Sequence, residues 1–229
     1  TSYLHNDFLD EATLKNYERL KKNNPKMYEV IGLGHWGITE GQIFNNFEVI
    51  DFDNFFYKNV EEIRYDNANK LCIGLDYGYT NDPTALIVSL VDLENKYIYI
   101  IDEHYQKGMS NRQIADMIEY KNLNPHKIIA EVEPKSNDEL RGYGLNIEQA
   151  RKGADSIRHG IQFLSQFKIF INPNCTNTII EFENYKWETD KNGKSKNEPK
   201  QGYDHLIDAL RYSIKDIQTN REIKAISLW

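Results

Sequence analysis

The stretch LCIGLDYGYTNDPTALIVSLVDLENKYIYIIDEHY, residues 71–105, decides the architecture. LCIGLDYG (71–78) is an apolar run that stops at an Asp and a Gly, the pattern of a buried strand ending in a turn. PTALIVSLVD (83–92) is a second apolar run, and ENK (94–96) gives a short turn. KYIYIIDEHY (96–105) is a third run, rich in the strand-favouring residues Tyr and Ile. Three neighbouring strands with tight connections predict an antiparallel meander.

Toward the C-terminus, the period changes. SNRQIADMIEYKNL (110–123) reads as a helix with Ser110 at its N-cap. HKIIAEVE (126–133) reads as a fourth strand, and KSNDELRGYG (135–144) as a short helix closed by glycine. GADSIRHGIQFLSQF (153–167) is an amphipathic helix, FKIFI (167–171) a fifth strand, and CTNTIIEFENYKW (175–187) another helix. TDKNGKSKNEPKQG (189–202) carries an Asn-Gly turn and predicts a polar hairpin. YDHLIDALRYSIKDI (203–217) is the last long helix, with Leu206, Ala209, Leu210 and Ser213 on one face. Three meandering strands followed by alternating helices and strands predict an α/β fold of the RNase H-like kind, a mixed five-stranded sheet flanked by helices.

Toward the N-terminus, residues 1–65 form a separate connector region, and residues 66–229 the main domain. LDEATLKNYERLKK (9–22) has helical spacing and ends near Asn24-Pro25. From MYEVIGLGHWG (27–37) to FDNFFY (52–57) the chain is apolar but irregular, which suits a segment packed on the main domain. The chain opens at Thr1 without an apolar leader and reads as a fragment of something longer. No apolar run approaches membrane length, and the two cysteines, Cys72 and Cys175, read as free thiols.

The net charge of −7 argues at first against a polyanionic partner. Its distribution matters more. Residues 1–120 carry 11 Lys+Arg against 20 Asp+Glu, whereas residues 121–211 carry 14 against 13. A site that gathers carboxylates for metal ions lowers net charge while attracting phosphate through the ions. The expectation is weak intrinsic DNA affinity.

Three acids stand out. Asp76 ends an apolar strand, where a carboxylate is costly without a partner, and Gly78 beside it permits close approach of backbone or phosphate. Glu131 and Glu133 lie two apart at the end of the fourth strand and would share a face; Glu131, nearer the apolar run, is preferred. Asp208 lies in the last helix, with Asp204 one turn earlier, where two acids repel unless a cation separates them. His205 reads as a hydrogen-bonding histidine. Acids from two strand ends and one helix form a hard-oxygen set suited to Mg²⁺ or Mn²⁺. Two such ions activate water and stabilise the leaving oxygen in phosphodiester cleavage. Lys135, Arg141, Arg151, Lys152, Lys186 and the lysines of the hairpin are candidates for phosphate contact on duplex DNA.

Two other readings compete. GLGHWG (32–37) fits a dinucleotide fingerprint in letters but lacks the strand before it and the helix after it. DYGYTND (76–82) is similar to the first phosphate loop of actin-like nucleotide-binding enzymes, but no second loop follows. No GxxxxGK[ST] motif occurs, so the chain has no P-loop motor.

GLDYGYTNDPTALI, EPKSNDELRGYG, RKGADSIRHGIQFL, ENYKW and DHLIDALRY, in that order, resemble the nuclease domain of phage large terminase subunits. NPKMYEVIGLGHWGITEGQIF (24–44) resembles the segment joining motor to nuclease in that family. The resemblance implies an RNase H-like nuclease that cuts concatemeric double-stranded viral DNA during packaging in the infected bacterial cytoplasm. It implies a preceding ATPase domain, and a small subunit and portal as partners. It also implies that Asp76, the acid of AEVEP and Asp208 hold two Mg²⁺ or Mn²⁺ ions, assisted by Asp204 or Glu133. Relatives often read Ala-Asp-Ser-Ala-Glu-Pro-Lys where this chain reads AEVEPK (130–135), one residue shorter, so the second acid aligns with Glu131 or Glu133. A non-catalytic docking module of a packaging motor and a resolvase- or transposase-like nuclease are the remaining alternatives.

Overall fold

A computed structural model describes residues 9–23, 25, 28, 32–33, 41–51, 69–78, 80–151, 153, 155–191 and 195–226. Lys152, residues 34–37 of GLGHWG, the FDNFFY stretch and the hairpin tip at 192–194 lie outside them.

The meander forms as the apolar runs require. β2 (Asn69–Asp76) pairs antiparallel with β3 (Pro83–Asp92), and β3 with β4 (Tyr97–Lys107). β5 (Ile128–Ala130) then lies parallel to β2, and β7 (Lys168–Ile171) parallel to β4. These are the five expected strands. Two short edge strands extend the sheet to seven: β1 (Phe47–Val49), parallel to β7, and β6 (Ile147–Gln149), parallel to β5. Strands of three residues are too short to leave a period in sequence. With them the order is β1-β7-β4-β3-β2-β5-β6. β1 ties part of the expected connector region to the sheet edge. β8 (Trp187–Thr189) and β9 (Ser195–Pro199) form the separate antiparallel hairpin foreseen from its polar turn.

Helices cover both faces. Strand alternation sends Leu86 and Val88 to one side, against Ile114 and Ile118 of α2 (Asn111–Tyr120) and Leu140 of α3 (Pro134–Gly142). It sends Ala85 and Ile87 to the other. There they meet α1 (Glu11–Asn23), α4 (Ser156–Leu164), α5 (Thr176–Asn184) and the long α6 (His205–Ile226). Ser110 caps α2 in a reciprocal capping box with Gln113. Both cysteines are buried, and neither forms a disulfide.

One glycine sets the spacing that matters most. Cys72, Gly74 and Asp76 share the face of β2 that looks at α6. A Cβ on Gly74 would lie 1.8 Å from the Ala209 carbonyl oxygen of α6. Only glycine lets the helix backbone settle directly on the strand, and that contact brings the first turn of α6 over Asp76.

Candidate active site

The site is assembled at the C-terminal ends of two parallel strands. Leu75 of β2 pairs with Ala130 of β5, so the next residues, Asp76 and Glu131, emerge side by side. The Glu131 backbone N–H donates to the Leu75 carbonyl at 2.8 Å. Buried Asn137 of α3 fastens the two ends together. Its Nδ2 donates to the Glu131 carbonyl at 2.9 Å, and its Oδ1 accepts from the Tyr77 hydroxyl at 2.8 Å.

β5 ends at Ala130, earlier than the sequence pattern suggests. The two-residue alternation therefore does not extend to Glu133, which stands exposed at the N-cap of α3. Pro134 at the first helical position explains the early stop, since its fixed φ starts a helix.

Asp76 is 6% exposed. His205, the first residue of α6, sets Nδ1 3.1 Å from Asp76 Oδ2 and Nε2 3.8 Å from Asp82 Oδ1. Burial pushes the Asp76 carboxyl up to about 7, against the His205 hydrogen bond, with Glu131 and Asp208 adding like charge. The bond to Asp76 raises the His205 imidazole to about 8. His205 is thus a hydrogen-bonding histidine, as its sequence context suggested, and its i, i+3 spacing puts it on one helical face with Asp208.

Asp208 sits one turn into α6. Arg211 Nε reaches its Oδ1 at 3.1 Å, Arg211 Nη2 its Oδ2 at 2.8 Å, and the Tyr212 hydroxyl donates to Oδ2 at 3.3 Å. Burial raises the Asp208 carboxyl, opposed by Arg211. Asp204 lies just ahead of the helix and accepts the Gly202 N–H at 3.2 Å. Gly78 answers a different need from phosphate access: a Cβ there would lie 2.2 Å from the Asp82 carbonyl oxygen, so the glycine serves the folding-back of its own loop.

The N-terminus of α6 has an anchor that no local motif announces. Glu181 of α5, 1% exposed, accepts the N–H groups of Leu206 at 2.9 Å and Ile207 at 3.0 Å. These are two of the unpaired amides every helix start presents, and the dipole there favours an acid. Burial still pushes the Glu181 carboxyl up to about 8. The start of α5 is held likewise by Glu103 of β4, which accepts the backbone N–H groups of Asn177 at 2.9 Å and Thr178 at 2.8 Å.

The donor chemistry of Asp76, Glu131, Asp208 and His205 suits a divalent cation, which would offset the mutual repulsion of three acids. As the side chains stand, no three His, Cys, Asp or Glu among the described residues converge at metal-holding distance. Asp76 is bonded to His205, and Asp208 to Arg211. Of the phosphate-contact candidates, Lys135, Arg151 and Lys186 are exposed. Arg141 instead bonds the Ile147 carbonyl at 2.9 Å and Asp138 at 2.7 Å.

A mixed sheet with acids at two parallel strand ends and on the first turn of a C-terminal helix defines the RNase H-like class. Residues 76–216 match the family described as Terminase RNAseH like domain, and the chain belongs to that family. It is 34% identical over 236 aligned residues to the large terminase subunit of Bacillus phage SPP1, covering 100% of this chain and 53% of that protein. It is 29% identical to the PBSX phage terminase large subunit of Bacillus subtilis, over 93% of this chain and 49% of that protein. The chain thus spans about half the length of the curated relatives it matches. Among solved structures, the nuclease domain of the SPP1 large terminase with bound Mn superposes with a TM-score of 0.66 at 35% identity. That match covers 76% of this chain and 97% of that one. The large terminase of a thermophilic bacteriophage shares the fold, with a TM-score of 0.65 at 22% identity over 95% of this chain and 55% of that one.

Proposed function

We propose that this chain is the nuclease part of a packaging terminase, a divalent-metal-dependent endonuclease that cuts concatemeric double-stranded viral DNA. The observation that carries this reading is the buried strand-end acid Asp76, held by His205 and flanked by Glu131 and Asp208. Membership of the terminase family and the Mn bound by the SPP1 relative support it and count against an actin-like nucleotide enzyme.

Asp76, Glu131 and Asp208 are the residues assigned to hold two Mg²⁺ or Mn²⁺ ions, with His205 beside them and Asp204 or Glu133 assisting. When bound, such ions supply an activated water and stabilise the departing 3′ oxygen. The chain's own residues do the rest. Asp76 orients the His205 ring, which in turn spans toward Asp82. Asn137 keeps the Asp76 and Glu131 strand ends in register. Lys135, Arg151 and Lys186, together with Lys152, steer duplex phosphates without reading bases, while Arg141 is engaged with Ile147 and Asp138. The preceding motor domain, small subunit and portal are the expected partners.

A plasmid assay with Mg²⁺, Mn²⁺ or EDTA tests this. Ion-dependent conversion of supercoiled to linear DNA is expected, lost in Asp76→Ala with the fold retained by circular dichroism. Equal cleavage by Asp76→Ala, or cleavage undiminished in EDTA, would overturn it.

A further inference from the structure

Arg211 is a buried, permanently charged group that the chemistry above does not use. It is 6% exposed, and its guanidinium grips both oxygens of Asp208, through Nε at 3.1 Å and Nη2 at 2.8 Å. Its Nη1 reaches the Ser156 carbonyl of α4 at 3.5 Å, and its Cζ lies 5.1 Å from the Tyr212 ring centre. Such a two-point grip fixes a carboxylate in angle as well as in distance. The aliphatic stem packs against α4 at Gly160. A Cβ on residue 160 would lie 2.3 Å from Arg211 Cγ and 2.2 Å from Cδ. The stem has no room to yield, because its far end is tied to Asp208 and Ser156.

We infer that Arg211 is the positioning residue for Asp208 as a metal ligand, and that Gly160 of α4 leaves the space that its stem occupies. The inference rests on the metal site proposed above. Each carboxylate oxygen has two acceptor sites; the fork takes one on each and the Tyr212 hydroxyl the second on Oδ2, which leaves Oδ1 a site for an ion. Loss of a partner that orients a ligand in this way typically weakens metal binding roughly 10- to 100-fold. Lysine would keep the charge but lose the fork. Alanine at 160 would keep every site residue and still push the fork aside.

The test is Mn²⁺ binding to the intact chain, by calorimetry and by the Mn²⁺ electron paramagnetic resonance signal, with melting curves as the control for folding. Wild type is expected to bind. Gly160→Ala and Arg211→Lys are each expected to bind roughly 10- to 100-fold more weakly while still melting cooperatively. In an Arg211→Ala background, Gly160→Ala should add nothing further, because the stem it displaces is gone. Should Arg211→Ala fail to fold, the comparison of Gly160→Ala with Arg211→Lys still decides. Mn²⁺ affinity equal to wild type in both variants would reduce Arg211 to a structural ion pair and overturn the inference. So would rescue by Arg211→Lys, since charge alone would then suffice. Absence of Mn²⁺ binding by wild type would overturn the metal site itself, and the inference with it.

Discussion

Asp76, His205 and Glu181 share one electrostatic property with a measurable consequence. Their ordinary values are 3.8, 6.5 and 4.5, and in the fold they are raised to about 7, about 8 and about 8. In each case the folded chain keeps a proton that the unfolded chain releases. Stability from these protons is full below the ordinary values and is lost as pH rises through the folded ones. The metal-free protein should therefore melt at a lower temperature at about pH 9 than at about pH 6. Asp76→Asn should flatten that slope; a variant curve as steep as wild type would remove Asp76 from the explanation. The divalent ions proposed for the site would compete with the Asp76 proton, so the rise in melting temperature caused by Mn²⁺ should grow with pH.

Between elements, the site depends on two devices that fix α6. Gly74→Ala would drive a methyl into the Ala209 carbonyl, a backbone atom with nowhere to retreat. Overpacking of this kind costs about 1–3 kcal/mol or more, and chemical denaturation should register it as a lower midpoint. The second device is the chain of glutamate anchors, from β4 through Glu103 to α5 and from α5 through Glu181 to α6. Glu181→Ala would leave the buried amides of Leu206 and Ile207 unpaired, at about 1–3 kcal/mol for each group. Faster hydrogen exchange is expected at those two amides first. Unchanged protection there would mean that the anchor does not hold the helix.

Across the protein as a unit, a net charge of −7 has to be reconciled with the polyanionic substrate proposed for it. Few phosphate contacts imply weak binding and a shallow salt dependence. Duplex binding should therefore tighten when Mn²⁺ is added, and more so than in Asp76→Ala. An affinity indifferent to the ion would place recognition on the lysines alone. No helix among the described residues is long and apolar enough to cross a membrane.

The meander, the alternation of helix and strand that follows it, and three of the acids were legible in the residues alone. Each of those signals is local. Apolar period reports burial over a handful of residues, and an acid ending an apolar run is conspicuous against it. Which groups those acids meet was settled by packing. His205 on Asp76 spans 129 residues of chain, and Glu181 on Leu206 spans 25. Nothing in the spelling of EFENYKW marks one of its glutamates as the cap of a distant helix. Nothing in DALRY tells that Gly160 of α4 stands opposite the Arg211 stem. The edge strands β1 and β6 and the early end of β5 escaped for the same reason. Three-residue strands exist because a neighbour offers hydrogen bonds, and pairings between charges or backbones depend on tertiary contacts that no short window of sequence contains.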